Sequence, residues 1–134
     1  MTIIPPAVTP QVPVSWGELI DKITILEIKT GRLPTAEARA NAVTELSLLQ
    51  DIAAPVLRHA EIRTLAGQLM ALNESLWEIE DKIRDCERAG DFGADFIGLA
   101  RSVYKHNDKR GALKRQINLA LGSALIEEKG YKPY

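Results

Sequence analysis

Between residues 62 and 86, apolar side chains return at alternating steps of three and four: Ile62, Leu65, Leu69, Leu72, Leu76, Ile79, Ile83 and Cys86. This rhythm puts all of them on one stripe of an α-helix that packs lengthwise against another helix. After Gly90 the rhythm resumes through Phe96, Leu99, Val103, His106, Arg110, Leu113, Ile117 and Ala120. Folded back, the second run pairs 96 with 86, 103 with 79, 113 with 69 and 120 with 62, each pair centred on position 91. Two stripes that mesh across a tight Gly-containing turn predict an antiparallel helical hairpin, at about 60–89 and 94–121.

Two shorter helices precede it. Ser15 with Glu18 three residues on reads as a capping box, and Val14 can staple to Leu19 across it. Trp16, Leu19, Ile23 and Leu26 form the buried stripe of a helix at about 16–30, widened by Ile20, Ile25 and Ile28. Gly31 is expected to end it, and Pro34 to delay a restart until Thr35 caps the next. The second helix, at about 36–53, carries Ala42, Leu46, Leu49, Ala53 and Val56 on one face and is expected to break at Pro55.

With Ile62 as position a of a heptad, the b and e positions of the hairpin hold Ala66, Met70, Asn73, Trp77 and Glu80, then Ile97, Ala100, Tyr104, Asn107, Gly111 and Leu121. The g positions are polar: Gln68, Ser75, Lys82, Ser102, Lys109 and Gln116. The two shorter helices are therefore expected to dock over the b/e flank and leave g to water. The chain reads as all-α. Residues 1–14 form a Pro-rich extended lead-in, 15–122 the helical domain and 123–134 a tail.

Composition narrows the class without naming a function. The chain has 134 residues and a net charge of −1, which suits one soluble domain with a single core. One cysteine excludes an internal disulfide, and no apolar run approaches a membrane span. The first residues lack the basic-then-apolar pattern of a signal peptide, so the expected location is the cytoplasm. His59, Cys86 and His106 have no zinc-ligand spacing, and no cofactor is expected.

Chemistry concentrates where His106 and Arg110 interrupt the second stripe. On the flank beside them lie Asn73, Glu80, Tyr104 and Asn107, with Trp77 near, a semi-buried polar cluster bounded by aromatics. A buried Arg needs a partner. Glu80 and a ligand anion both qualify, the first making the cluster an internal network and the second a binding site. A rival set is Glu18 with Asp21 and Glu78 with Asp81, acidic pairs of the kind with which all-helical nucleotide pyrophosphohydrolases hold magnesium. Glu78 and Asp81, however, take outward c and f positions. Six basic residues from Arg101 to Arg115 face Glu74, Glu78, Asp81 and Asp85 on the first hairpin helix. This is intramolecular complementarity or a self-associating surface, and nucleic acid is not the expected partner.

Three strings together carry a resemblance: V-S-W-G-E-L-I-D-K-I-T-I-L-E-I-K (14–29), N-E-S-L-W-E-I-E-D-K-I-R (73–84) and F-I-G-L-A-R-S-V-Y-K-H-N-D-K-R-G-A-L-K-R-Q-I-N (96–118). The chain resembles a family of small uncharacterised bacterial helical proteins, a domain of unknown function. The resemblance implies a helical fold and a cell-envelope polysaccharide setting, and it transfers no catalytic residue. The function expected is a non-enzymatic binding or assembly module, homo-oligomeric or bound to a protein partner. The alternative is a small all-α, magnesium-dependent enzyme acting on a phosphorylated metabolite.

Overall fold

The computed structural model describes residues 2, 4, 5 and 8–134 and is all-helical. Four helices follow in order: α1 (Trp16–Arg32), α2 (Ala36–Leu57), α3 (Ala60–Ala89) and α4 (Ala94–Ala120). The hairpin expected from the two stripes is α3 and α4. Its turn forms as Gly90 adopts φ 67°, a left-handed conformation that suits glycine, while Asp91 N–H returns to Cys86 O at 2.9 Å. No helix among the described residues is long and apolar enough to cross a membrane.

Helix boundaries depart from expectation in three places. Ser15 does cap α1, its hydroxyl accepting from Glu18 N–H at 3.2 Å, but the Glu18 carboxylate does not close the box, because it bonds Lys114 instead. Gly31 lies inside α1, which ends at Leu33 with ψ 141°. The ring of Pro34 disfavours helical geometry in the residue before it, and the helix stops there. Pro55 does not break α2, which runs on to Leu57. A proline one turn from the end removes a single backbone bond, and Val56 and Leu57 beyond it pack on the core.

That core sits at the open end of the hairpin. Leu19, Ile20 and Ile23 of α1, Ala53 of α2, Leu65 and Leu69 of α3 and Ile117 of α4 form one cluster, with Trp16, Leu46, Leu49 and Leu113 packed around it. Helix α1 touches all three others, whereas α2 leans on α1 and lightly on α3 and does not reach α4. Docking on the b/e flank is thus confined to half of the hairpin: Asn73 is buried, while Glu80 is exposed and Ile97 is 54% exposed. The reason is that α2 packs mainly on α1 and leaves α1 to cover the flank, and α1 is short. Helix α1 has 17 residues, about 25 Å, against 30 in α3, about 45 Å. The far half keeps only its own stripe, with Ile83, Cys86, Phe96 and Leu99 half-buried, and Ala120 at the other end of the stripe is exposed.

Candidate functional site

The interface between α1 and α4 is unusually close at one residue. A Cβ on Gly17 would lie 2.3 Å from the main-chain oxygen of Lys114, so glycine is what lets the two backbones meet. The free N–H groups of the first turn of α1 are then satisfied from α4 and beyond. Gly17 N–H donates to Asn118 Oδ1 at 2.6 Å, and Trp16 N–H to Ser123 Oγ at 3.3 Å.

One turn along, the Asp21 carboxylate is 1% exposed and meets Arg110 in a two-pronged pair. Arg110 Nε donates to Oδ1 at 2.9 Å and Nη2 to Oδ2 at 2.6 Å. Asn73 Nδ2 donates to Asp21 Oδ1 and to Thr24 Oγ1, each at 2.9 Å, and the Thr24 hydroxyl donates to the Asp21 main-chain oxygen at 2.7 Å. The bond to Asp21 outweighs burial and holds the Arg110 guanidinium above its ordinary basicity. Among the described residues no buried side-chain nitrogen or oxygen lacks a partner.

The partner of Arg110 is therefore Asp21, and Glu80 makes no ion pair among the described residues. Of the expected cluster, Asn73 and Arg110 meet through Asp21, and Asn107 joins weakly, accepting from Arg110 Nη1 at 3.4 Å. His106 Nδ1 bonds Ser102 O on its own helix at 2.8 Å, and Trp77 is half-buried. The two acidic pairs do not converge. Glu18 bonds Lys114, Asp21 bonds Arg110, Glu78 reaches Arg32 at 3.4 Å, and Asp81 is exposed. No three His, Cys, Asp or Glu side chains among the described residues form a set that could hold a metal ion.

Two residues of this interface were absent from the expected cluster. Lys114 and Asn118 occupy e and b positions of α4, on the flank that α1 covers. The Lys114 side chain is only 8% exposed, and its ammonium lies 2.7 Å from Glu18 Oε2 and 2.8 Å from Glu127 Oε2. Burial pulls its pKa down, but the bonds to Glu127 and Glu18 prevail and raise it. Glu127, which belongs to the tail, is correspondingly lowered to about 2 by Lys114 and then Lys129.

This contact seats residues 123–134 beside α4 and leaves a groove of about 1050 Å³ between them. Its walls include Glu18, Asn107, Arg110, Lys114, Arg115 and all three tyrosines of the chain, Tyr104, Tyr131 and Tyr134. Tyr104 and Tyr134 meet edge to face at 5.2 Å, and Arg115 pairs with Glu128 at 3.2 Å. Asp108 beside the Tyr134 hydroxyl raises the pKa of that phenol. Chemically the groove offers aromatic faces, fixed cations and fixed carboxylates, a surface for stacking and polar recognition.

The chain belongs to a family of unknown function, DUF6165, whose pattern covers residues 10–134. No curated protein matches it, and no solved structure does.

Proposed function

We propose that the protein is a non-enzymatic binding or assembly module whose ligand enters the groove between α4 and the C-terminal segment. One observation carries this reading. Only 5% of the chain is aromatic, yet its three tyrosines all line this one groove. Tyrosine combines a large apolar face with a polar tip and is enriched where proteins bind. The charged groups beneath are already neutralised in pairs, Asp21 by Arg110 and Lys114 by two carboxylates, which suits fixed recognition better than proton transfer. A bacterial, cytoplasmic, self-associating protein in an envelope-polysaccharide setting is the context we propose for it, and this guides the choice of probes.

A thermal-shift screen with sugar nucleotides, and with nucleotides plus magnesium, tests the reading. A probe bound at about 100 times its Kd stabilises the fold by about 2.7 kcal/mol. The expected result is a shift in the wild type that Tyr104→Ala removes, since Tyr104 is 43% exposed and its loss leaves the core intact. A magnesium-dependent nucleotide shift that survives Tyr104→Ala and disappears in Asp81→Asn would transfer the function to the acidic pairs and to an enzyme.

A further inference from the structure

We propose that residues 123–134 are an exchangeable arm, and that the face of α4 on which they lie accepts the same segment from a second copy of this chain. The inference rests on the groove reading above, because the arm forms one wall of that groove whichever copy supplies it. The arm has neither helix nor strand, and it buries little: Leu125 is 45% exposed, Ile126 40%, and Tyr131 and Tyr134 78% each. What holds it on α4 is a short set of side-chain contacts. Glu127 meets Lys114, Glu128 meets Arg115, Tyr134 meets Tyr104, and the Lys129 stem lies over Gly111.

None of these contacts depends on the arm and α4 being parts of one chain. The anchored part ends earlier, at Ser123, whose N–H bonds Asn118 O at 2.8 Å and whose hydroxyl accepts from Trp16. Just before it, Gly122 turns the chain at φ 58°, so the hinge for exchange is already in place. The face of α4 also states the chemistry that it recognises: two successive acids against two successive bases, then an aromatic ring against Tyr104. A second copy carries that pattern at the same concentration as the face itself. Exchanging an identical segment makes no new type of contact, which is why it is a low-cost route to a dimer. The tethered arm competes at a high effective concentration, so exchange grows with protein concentration.

The test uses the full chain and a fluorescein-labelled synthetic peptide of residues 123–134, read by anisotropy. Full-length Glu127→Gln, whose own arm is held less well, should bind the wild-type peptide about tenfold more tightly than the wild-type protein does. A peptide carrying Glu128→Arg should lose affinity for that protein and regain it when Arg115→Glu is added. Light scattering should show a mass that rises from one chain toward two with concentration. No anisotropy change with either protein, or a mass fixed at one chain into the millimolar range, overturns arm exchange. Should a sugar-nucleotide or nucleotide shift still depend on Tyr104 in that case, the groove reading stands alone. Peptide binding that ignores both Tyr104→Ala and Arg115→Glu places the peptide elsewhere and overturns this inference as well.

Discussion

Removing Arg110 should cost this protein far more than removing its charge partner, and the asymmetry follows from burial. Asp21 is 1% exposed, whereas the Arg110 side chain is 29% exposed. In Arg110→Met the two guanidinium bonds to Asp21 disappear and the carboxylate is left with the single donor Asn73. A buried charge stranded in this way costs about 3–5 kcal/mol. In a chain of this size that lowers the midpoint of thermal unfolding by roughly 10–20 °C. In Asp21→Asn the guanidinium can swing toward water along its flexible stem, so the loss should be about 1–3 kcal/mol. The double variant Asp21→Leu with Arg110→Met should recover much of the larger loss, because an apolar pair of similar volume needs no partner. Urea unfolding followed by circular dichroism measures all three, with equal m-values required for comparison. A change within a few tenths of a kcal/mol in Arg110→Met would refute the network. Recovery of Arg110→Met by Glu80→Gln rather than by Asp21→Leu would refute the assignment of its partner.

Two further perturbations probe the same interface and the arm. Gly17→Ala should destabilise by about 1–3 kcal/mol or more, since the new methyl meets main chain that cannot swing away, while Gly67→Ala, with open space around it, should stabilise by up to about 1 kcal/mol; equal effects in chemical denaturation would show that the close approach is absent. Glu127 falls from an ordinary 4.5 to about 2 when the arm is seated, so docking is fully favoured above pH 4.5 and loses this support as the pH falls toward 2. Amide and ring NMR signals of residues 125–134 should sharpen toward those of a free chain over that window in the wild type and be insensitive to it in Glu127→Gln, and identical titrations of the two proteins would contradict the seating.

The hairpin was legible because two stripes of the same spacing, mirrored about position 91, have few other ways to be buried together. The misread helix ends share one cause, in that local rules compete. The glycine at 31 lets the helix continue, the proline at 34 disfavours helical geometry at Leu33, and α1 stops there. At Pro55 the competition runs the other way, and burial of Val56 and Leu57 carries the helix past a lost hydrogen bond. The limited docking on the flank comes from α2 packing mainly on α1, which leaves a helix of 17 residues to cover one of 30.

The site was harder to read because periodicity says which face of a helix is buried but not how far along a partner it lies. Glu80 was the acid expected to meet Arg110, and the offset of α1 along the hairpin brings Asp21 there instead. A second ladder carried that offset. Glu18 and Asp21, three residues apart on α1, oppose Lys114 and Arg110, four apart on α4, in antiparallel order. Such a pairing fits one alignment of the two helices, and Gly17 with Asn118 fixes it one step further on. An apolar interface would tolerate a slip of one turn. Here a slip would leave the buried Asp21 without Arg110 and put a side chain of α1, in place of Gly17, against the backbone of α4. The charges at this interface thus contribute register more than stability. Register is what the groove requires, because Arg110 and Lys114 line the groove while their other contacts face α1. A groove wall pinned from behind by Asp21 and Glu18 would stay in place through the arm exchange proposed above.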